Sequence, residues 1–535
     1  MSQFITSIEN SARTTPDARV FFNSAGQSLT YAQLLSAMNA LGAHYQALAT
    51  KDNTGEHTAK PIAVYGHKSP GMIAAFFAAS KAGCTYVPLD TSAPSERIAS
   101  ILEQLDHPIL VDTTCSLPEE LRKLASHVIE LDYERDLLPL VEKSSGTDVE
   151  TGAGTAKELD PQSCVQGEDT FYIIFTSGST GTPKGVEVST ANIDAFWRWM
   201  CSEFTYGTPQ VFFNRAPFSF DLSVTDLIRG IGAGDTLFAL EEEAEASMKG
   251  TMDALAASGT TFWVSTPSFA EMCLADPAFN AELLPKLHTF FFVGETLRNE
   301  TALQLLDRFP GAKVVNGYGP TESTVLVTAT SITREMCASP EPLPVGSCKP
   351  NTQLAILDPE SLEVLPAGAP GELFIIGDTV AKGYFNRPDA TEAAFASYPY
   401  AVPDGMRSYR TGDECVLDET GMLHFRGRLD FQVKLHGYRI ELGDIEANLC
   451  LAPEVRQACV IPVEKQGVVS FLRAFVQLED GVEASFNTTK LLKERLATKL
   501  PEYMVPRAFS YLESFPLNVN GKIDRKALLA MAEGA

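Results

Sequence analysis

Residues 60–112 read KPIAVYGHKSPGMIAAFFAASKAGCTYVPLDTSAPSERIASILEQLDHPILVD, and this stretch decides the fold. Three short apolar runs (KPIAVYG, TYVPLD and PILVD) alternate with two longer segments of helical spacing (SPGMIAAFFAASKAG and SERIASILEQLD). This βαβαβ alternation predicts a largely parallel sheet covered by helices. The same alternation returns between residues 210 and 319, so we expect a large α/β N-terminal domain.

The pattern of elements changes in the second half of the chain. From about residue 343 to residue 429, strands separated by Gly and Pro predict an antiparallel, barrel-like β unit. The last hundred residues mix strands with one clear helix and predict a small α+β domain. From residue 430 onward 13 Lys and Arg oppose 14 Asp and Glu, whereas residues 1–429 carry a net charge of −25. We therefore expect a large domain over residues 1–429 and a small one over residues 430–535.

Composition excludes several classes of function. A net charge of −26 disfavours nucleic acids and anionic membranes as partners. No apolar run is long enough to span a membrane, and the N-terminus lacks the plan of a signal peptide, so membrane insertion is not expected. The ten cysteines form no C-x-x-C pair, which favours a reducing cytoplasm over a disulfide framework or a zinc site. Polar stretches at 49–60 and 143–168 are predicted to be mobile surface loops.

A loop rich in glycines and hydroxyls, FTSGSTGTPKG, occupies residues 175–185. A flexible linker is the simplest alternative, but an apolar strand precedes the loop and a second strand with a capped helix follows it. A Gly-rich turn between ordered elements brings backbone N–H groups close to an anion, so we predict phosphate binding. The loop differs from an ATPase loop, because Pro183 precedes Lys184 and Gly185 follows it. The candidate residues are Thr176, Ser177, Gly178, Ser179, Thr180 and Lys184.

Four further motifs follow in order: NGYGPTE at 316–322, YRTGD at 409–413, RGRLDFQVKLHGYR at 426–439 and NVNGKIDRKAL at 518–528. Tyr318 offers a ring that could stack on a flat base, and Glu322 offers a hard oxygen ligand for Mg²⁺. Asp413 could accept hydrogen bonds from both hydroxyls of a ribose. Taken singly, each motif could be an ordinary turn, a solvated face or a terminal tail.

Taken together and in this order, the motifs resemble those of the adenylate-forming enzymes, the superfamily of acyl-CoA synthetases, luciferases and peptide-synthetase adenylation domains. The resemblance covers essentially the whole chain. It implies that ATP and a carboxylate first form an acyl-adenylate and pyrophosphate, with Mg²⁺ as the metal. A thiol then attacks the adenylate, and the small domain rotates between the two steps about a hinge that matches Asp430.

The resemblance also implies a role for each motif. Residues 176–185 would hold the β- and γ-phosphates, and Lys522 would be the catalytic residue that bridges the substrate carboxylate and the phosphate. Tyr318 would stack on adenine, Asp413 would hold the ribose, and Glu322 would bind the metal. The remaining ATP-binding positions are Asn316, Gly319, Thr321 and Arg428.

The substrate is predicted to be a small amino acid. Asp221, in FDLS, matches the residue that pairs with the substrate ammonium in amino-acid-activating members; a helix N-cap is the alternative role. The implied pocket positions, which include bulky residues that leave little room for a side chain, are Leu222, Cys273, Val293, Gly317 and Val325. The surrounding sequence is similar to the enzymes that activate D-alanine for teichoic acid esterification. Cys273 matches a cysteine that contacts the substrate methyl in those enzymes, so the resemblance implies the same contact here. Alternatively, Cys273 is only a small hydrophobic residue of the core.

The thiol is expected on a separate partner, because only nine residues follow Lys526. That partner would be a phosphopantetheinylated D-alanyl carrier protein, which is expected to contact the nearly neutral C-terminal domain through Arg495, Lys499 and Arg507. Two alternatives stay open. One is a free-standing peptide-synthetase adenylation enzyme for another small amino acid, and the other is a non-catalytic adenylate-binding regulator.

Overall fold

The computed structural model describes residues 2–48, 60–145, 159–178, 181–206, 209–465, 468–517 and 523–533. Most of the two predicted surface loops, residues 49–59 and 146–158, lies outside these ranges. The chain divides into two compact units. The first comprises Met1–Thr91, Leu105–Ile174 and Gly185–Gly427, and the second comprises Ser92–Gln104, Phe175–Lys184 and Arg428–Ala535.

The strands, in chain order, are β1 Arg19–Asn23, β2 Ser28–Thr30, β3 Ile62–Gly66, β4 Tyr86–Asp90, β5 Ile109–Asp112, β6 His127–Glu130, β7 Thr170–Thr176, β8 Lys184–Ser189, β9 Val211–Asn214, β10 Thr236–Ala239, β11 Phe262–Ser265, β12 Thr289–Phe292, β13 Lys313–Tyr318, β14 Thr328–Ile332, β15 Ser347–Cys348, β16 Thr352–Leu357, β17 Pro370–Gly377, β18 Gly383–Tyr384, β19 Arg407–Leu417, β20 Leu423–Arg428, β21 Gln432–Leu435, β22 Tyr438–Glu441, β23 Val455–Lys465, β24 Val468–Leu478 and β25 Ala508–Tyr511.

The α-helices are α1 Gln3–Thr14, α2 Tyr31–Leu48, α3 Pro70–Lys81, α4 Ser95–Gln104, α5 Glu119–Arg122, α6 Leu138–Ser145, α7 Thr190–Glu203, α8 Leu222–Val224, α9 Glu242–Glu245, α10 Met248–Ser258, α11 Pro267–Leu274, α12 Asn299–Arg308, α13 Arg334–Ala338, α14 Pro388–Phe395, α15 Leu442–Cys450, α16 Phe486–Lys499 and α17 Arg525–Glu533. Among these helices, none is long and apolar enough to cross a membrane.

The stretch at 60–112 forms the predicted parallel sheet. Its three strands belong to a seven-stranded sheet in the order β18-β8-β7-β4-β3-β5-β6, in which β3 pairs in parallel with both β4 and β5. Helix α3 begins where Ser69 accepts a hydrogen bond from the Met72 amide and Pro70 occupies the first turn. All twelve residues of α3 are buried, which explains its almost continuous apolar sequence.

A nine-stranded sheet in the order β15-β14-β13-β12-β11-β9-β10-β1-β2 includes β13, which carries Asn316, Gly317 and Tyr318. Its six central strands are parallel, and its edges are antiparallel. Because side chains alternate along a strand, the sheet buries one cluster on each face. On β12, for example, Phe291 belongs to one cluster and Phe292 to the other.

The remaining strands form the predicted antiparallel unit and the small α+β domain. The first is a four-stranded sheet in the order β16-β17-β19-β20. The C-terminal segment contains a three-stranded sheet, β23-β24-β25, packed with α15, α16 and α17. The predicted fold class, a large α/β domain with a small α+β domain, is confirmed. The two-domain boundary stays a prediction, and the inclusion of Ser92–Gln104 and Phe175–Lys184 in the second unit was not predicted from the sequence.

Candidate active site

Tyr318 and Asp413 lie side by side in the first unit. Tyr318 ends β13, is 5% exposed, and donates a hydrogen bond from its hydroxyl to the Asp413 carboxylate on β19. The Phe425 ring lies 6.2 Å from the Tyr318 ring, centroid to centroid. The structure therefore brings together the two residues predicted to bind adenine and ribose.

Backbone strain marks the loop that follows Tyr318. A Cβ at Gly319 would lie 2.3 Å from the Leu326 Cα, so only glycine fits there. Thr324 and Val325 have φ angles of 61° and 73°, a region that costs about 1–3 kcal/mol for residues other than glycine. Such strain persists only where the surroundings hold it, and here the Thr324 hydroxyl donates to the Thr379 carbonyl over 2.7 Å.

Asn316 and Thr321, both predicted to bind ATP, are almost entirely buried. The Asn316 amide nitrogen donates to the Pro344 carbonyl over 2.9 Å, and its oxygen has no hydrogen-bond partner in the part of the chain that the structure describes. Thr321 begins a 3₁₀ turn, Thr321–Ser323. The contacts of Asn316 indicate that it supports the shape of the loop.

Glu322, the candidate metal ligand, is fully buried in this turn. Its Oε1 accepts a hydrogen bond of 2.7 Å from the hydroxyl of Tyr384, which ends β18. Mg²⁺ in nucleotide sites is commonly held by one or two carboxylates together with phosphate oxygens, and a single buried carboxylate fits that pattern. Tyr384 closes the sequence GELFIIGDTVAKGY, yet its role was not predicted, because its partner lies 62 residues away in the chain.

Replacement of Tyr384 by phenylalanine should weaken metal binding without changing the fold. The hydroxyl orients the Glu322 carboxylate, and loss of such a supporting contact typically costs about 10- to 100-fold in metal affinity. We expect the Mg²⁺ concentration for half-maximal activity to rise by about that factor. Tyr398→Phe is the matched control, because Tyr398 packs on Phe374 and Tyr400. An unchanged Mg²⁺ requirement in Tyr384→Phe would contradict this role.

Asp221 precedes the short helix α8 but makes no side-chain capping hydrogen bond. The alternative role as an N-cap is therefore not seen. Its charge contributes to the raised pKa of Tyr172, although burial is the main cause and Tyr86 contributes as well. The Tyr172 hydroxyl is buried and has no hydrogen-bond partner within the described ranges. Asp221, which is partly exposed, therefore lies close enough to the buried Tyr172 to affect its pKa.

Four of the five predicted pocket positions are associated with the same core cluster. Val293 and Val325 belong to the cluster that contains Phe291, Leu222 packs against it, and a Cβ at Gly317 would lie 3.5 Å from the Val293 Cγ2. This arrangement is consistent with a pocket for a small side chain.

Cys273 lies in the cluster that contains Phe292, on the opposite face of the nine-stranded sheet from Phe291. It belongs to the buried side of α11 with Phe269, Ala270 and Leu274, and burial raises its pKa to about 12. This placement separates Cys273 from the core cluster of the other four positions, and its contact with the substrate methyl stays a prediction. The buried residues 269, 270, 273 and 274 have the spacing of a helix face that packs on a core. This spacing is visible in the sequence.

The phosphate-loop residues belong to the second unit. The Ser177 hydroxyl donates to the Arg439 carbonyl over 2.9 Å and accepts from the Glu441 amide over 3.2 Å. Thr176 donates to the Lys184 carbonyl over 3.4 Å, and the Lys184 ammonium lies 4.0 Å from the Glu441 carboxylate. A hydrogen bond of 3.1 Å from the Gly181 amide to the Gly178 carbonyl closes the turn. Ser179 and Thr180 lie outside the described residues.

Arg428 and Asp430 form an ion pair in the same unit. The Arg428 Nε donates to the Asp430 Oδ1 over 2.8 Å, and that oxygen also accepts from the Gln432 amide over 3.1 Å. The predicted nucleotide ligand and the predicted hinge residue are therefore in contact. Lys522, the predicted catalytic residue, lies outside the described residues.

The sequence matches the AMP-binding enzyme family over residues 8–385 and the AMP-binding enzyme C-terminal domain over residues 444–522. The chain therefore belongs to the AMP-binding enzyme family, and the predicted class, an ATP-dependent ligase that forms AMP, is confirmed. It is 42% identical over 527 residues to the D-alanine–D-alanyl carrier protein ligase of Bacillus licheniformis, a match that covers 98% of this chain and 99% of the relative. A ligase of the same name from Listeria monocytogenes is also 42% identical, with 98% of both chains covered.

Solved structures support the fold. The adenylation domain AlmE of Vibrio cholerae, in complex with glycyl-adenosine-5′-phosphate, superposes with a TM-score of 0.79 at 24% identity and covers 100% of this chain and 98% of that one. The amide bond synthetase McbA of Marinactinospora thermotolerans gives a TM-score of 0.81 at 22% identity, with 99% of both chains covered.

Proposed function

We propose that the protein activates D-alanine with ATP and transfers it to the phosphopantetheine thiol of a separate D-alanyl carrier protein, for D-alanylation of (lipo)teichoic acid. The proposal rests on the 42% identity, over nearly the full length of the chain, to two D-alanine–D-alanyl carrier protein ligases. In the first step a carboxylate oxygen of D-alanine attacks the α-phosphorus of ATP, and pyrophosphate leaves. In the second step the thiol sulfur attacks the carbonyl carbon, loses its proton and becomes a thioester, while AMP leaves.

Residues of the first unit would bind adenosine and the amino acid. Tyr318 offers its ring to adenine, and Asp413, already an acceptor for the Tyr318 hydroxyl, would accept from the ribose. Asp221 would pair with the substrate ammonium, because the carboxylate and the ammonium carry opposite charges. Val293 and Gly317 would contact the methyl group.

The phosphates would be held by Thr176, Ser177, Gly178, Ser179, Thr180, Lys184 and Arg428, with Gly319 and Thr321 near the α-phosphate. Mg²⁺, bound through Glu322, would offset negative charge on the phosphate oxygens. Lys522 would stabilise the charge that grows as the carboxylate attacks. Arg428 would exchange its contact with Asp430 for one with the nucleotide.

The carrier protein would approach the nearly neutral C-terminal segment. Of the three cations considered for this contact, Arg495 is paired with Glu454 over 2.6 Å and is the least available. Arg507 is exposed, with its guanidinium 5.6 Å from the centre of the Phe471 ring. We therefore assign Arg507 the larger part in attracting an acidic carrier. A cytoplasmic location is part of the proposal, because the spacing of the ten cysteines favours a reducing compartment.

The proposed function is tested by loading a carrier in vitro. The purified protein should convert the phosphopantetheinylated D-alanyl carrier protein of B. licheniformis to its D-alanyl thioester in the presence of ATP and Mg²⁺, as detected by intact mass. The carrier lacking phosphopantetheine is the control, because it has no thiol to accept the acyl group. Absence of thioester despite active adenylation would contradict the second half-reaction.

The hinge is tested by Asp430→Pro. Proline fixes φ near −65° and restricts the residue before it, so rotation at this point should be blocked. We expect pyrophosphate exchange to persist and carrier loading to fall by about tenfold or more. Asp430→Asn is the matched control: it removes the charge that pairs with Arg428 but leaves the backbone free. Equal loss of both steps in Asp430→Pro would show that Asp430 is not the hinge.

A further inference from the structure

A group of metal-ligating side chains lies in the first unit, and the proposed reaction does not use it. His67 follows the last residue of β3, and Asp90 is the last residue of the adjacent strand β4; Gly66 and Asp90 are paired in register. Glu242 begins α9, three residues after the end of β10. Since β3 and β4 belong to the seven-stranded sheet and β10 to the nine-stranded sheet, the group joins the carboxyl ends of strands from two sheets.

The donor atoms of this group are close enough to share one ion. The His67 Nδ1 lies 2.9 Å from the Asp90 Oδ2 and 3.9 Å from the Glu242 Oε1. One ligand atom from each residue lies within 4.8 Å of the other two. Two donors bound to one ion at about 2.1 Å each lie at most about 4.2 Å apart. A small rotation of the exposed Glu242 side chain would complete the set.

The charges around the group favour a cation. The Lys68 ammonium is buried and donates to the Arg215 and Leu240 carbonyls rather than to a carboxylate. The Arg215 guanidinium pairs with Glu245 over 2.8 Å. The carboxylates around the group are Asp90, Glu241, Glu242 and Glu245. These four negative charges exceed the two positive charges of Lys68 and Arg215 by two when His67 is counted as neutral.

We propose that His67, Asp90 and Glu242 bind a divalent transition-metal ion that clamps the carboxyl ends of the two sheets together. A divalent ion would balance the two excess charges. An imidazole nitrogen with two carboxylates suits Mn²⁺ or Zn²⁺ and disfavours Mg²⁺, which prefers oxygen ligands and retains its water. The ion would stabilise the fold and take no part in the chemistry at Glu322.

The test is a titration of chelator-treated, nucleotide-free full-length protein with Mn²⁺, in which the free ion is followed by electron paramagnetic resonance. Mn²⁺ is chosen because it binds thiols poorly, so the ten cysteines do not interfere. Wild type should bind one ion per chain, and Zn²⁺ should displace it. Glu242→Gln should weaken binding by about tenfold or more. Glu243→Gln removes an equal charge from the next exposed residue and should bind like wild type.

A second measurement separates a bound ion from a general effect of charge. Added Mn²⁺ should raise Tm in wild type and in Glu243→Gln, because an ion that binds only the folded state stabilises it, and should not raise Tm in Glu242→Gln. Glu322→Gln should still bind one ion. The proposal would be overturned by the lack of a stoichiometric site in wild type, by equal affinity in the two glutamine variants at 242 and 243, or by loss of the ion in Glu322→Gln.

Discussion

Replacement of Lys522 by alanine is expected to reduce adenylate formation by about 10²- to 10³-fold, the usual cost of losing one preorganised contact to developing charge. ATP binding should change little, because the lysine acts on the transition state more than on the ground state. Amino-acid-dependent exchange of labelled pyrophosphate into ATP measures this step. Transfer from preformed adenylate to the carrier should be much less affected, since the small domain is proposed to have rotated by then.

Lys526→Ala is the matched control for this experiment. Lys526 is an exposed lysine at the start of α17, so its loss removes the same charge from the same segment. It should leave pyrophosphate exchange unchanged. If Lys522→Ala retained exchange within about tenfold of wild type, the catalytic role of Lys522 would be wrong.

Asp221→Asn should produce the second large effect. If the bound amino acid covers Asp221 as proposed, removing one partner of the resulting charge pair costs about 2–5 kcal/mol, which corresponds to roughly 30- to several-thousand-fold in kcat/KM for D-alanine. Asparagine keeps the size of the side chain, so the loss reports on charge. Asp253→Asn, at an exposed position on α10, should have no effect.

Propionate, which is alanine without its amino group, makes the Asp221 experiment specific. Wild type should use propionate poorly, because binding it leaves the Asp221 carboxylate without its partner. Asp221→Asn should raise kcat/KM for propionate. Equal losses for D-alanine and propionate would instead indicate that Asp221 supports the local fold of the segment before α8.

Much of the fold could be predicted because its elements are encoded locally. The strands and helices of residues 60–112 follow from apolar periodicity. The capped helix predicted after the phosphate loop is α7, whose N-cap Ser189 forms a reciprocal capping box with Asn192. The parallel order of the central strands also follows, because right-handed βαβ connections leave few other arrangements.

The candidate site could be predicted only in part, because its geometry depends on contacts between distant segments. The Tyr318–Asp413 and Tyr384–Glu322 hydrogen bonds join segments that are 95 and 62 residues apart. The role of Cys273 stays a prediction for a related reason: α11 packs in a different core cluster from Val293, and the sequence does not show this separation.

The central claim, activation of D-alanine, is tested most directly by pyrophosphate exchange over a panel of D-alanine, L-alanine, glycine and D-serine. We predict the highest kcat/KM for D-alanine, with about 10- to 200-fold discrimination against L-alanine, the range expected when a pocket wall excludes one methyl-sized group. A higher value for L-alanine or glycine would contradict the claim and indicate a peptide-synthetase adenylation enzyme. No exchange with any amino acid would contradict it in favour of a non-catalytic adenylate-binding regulator.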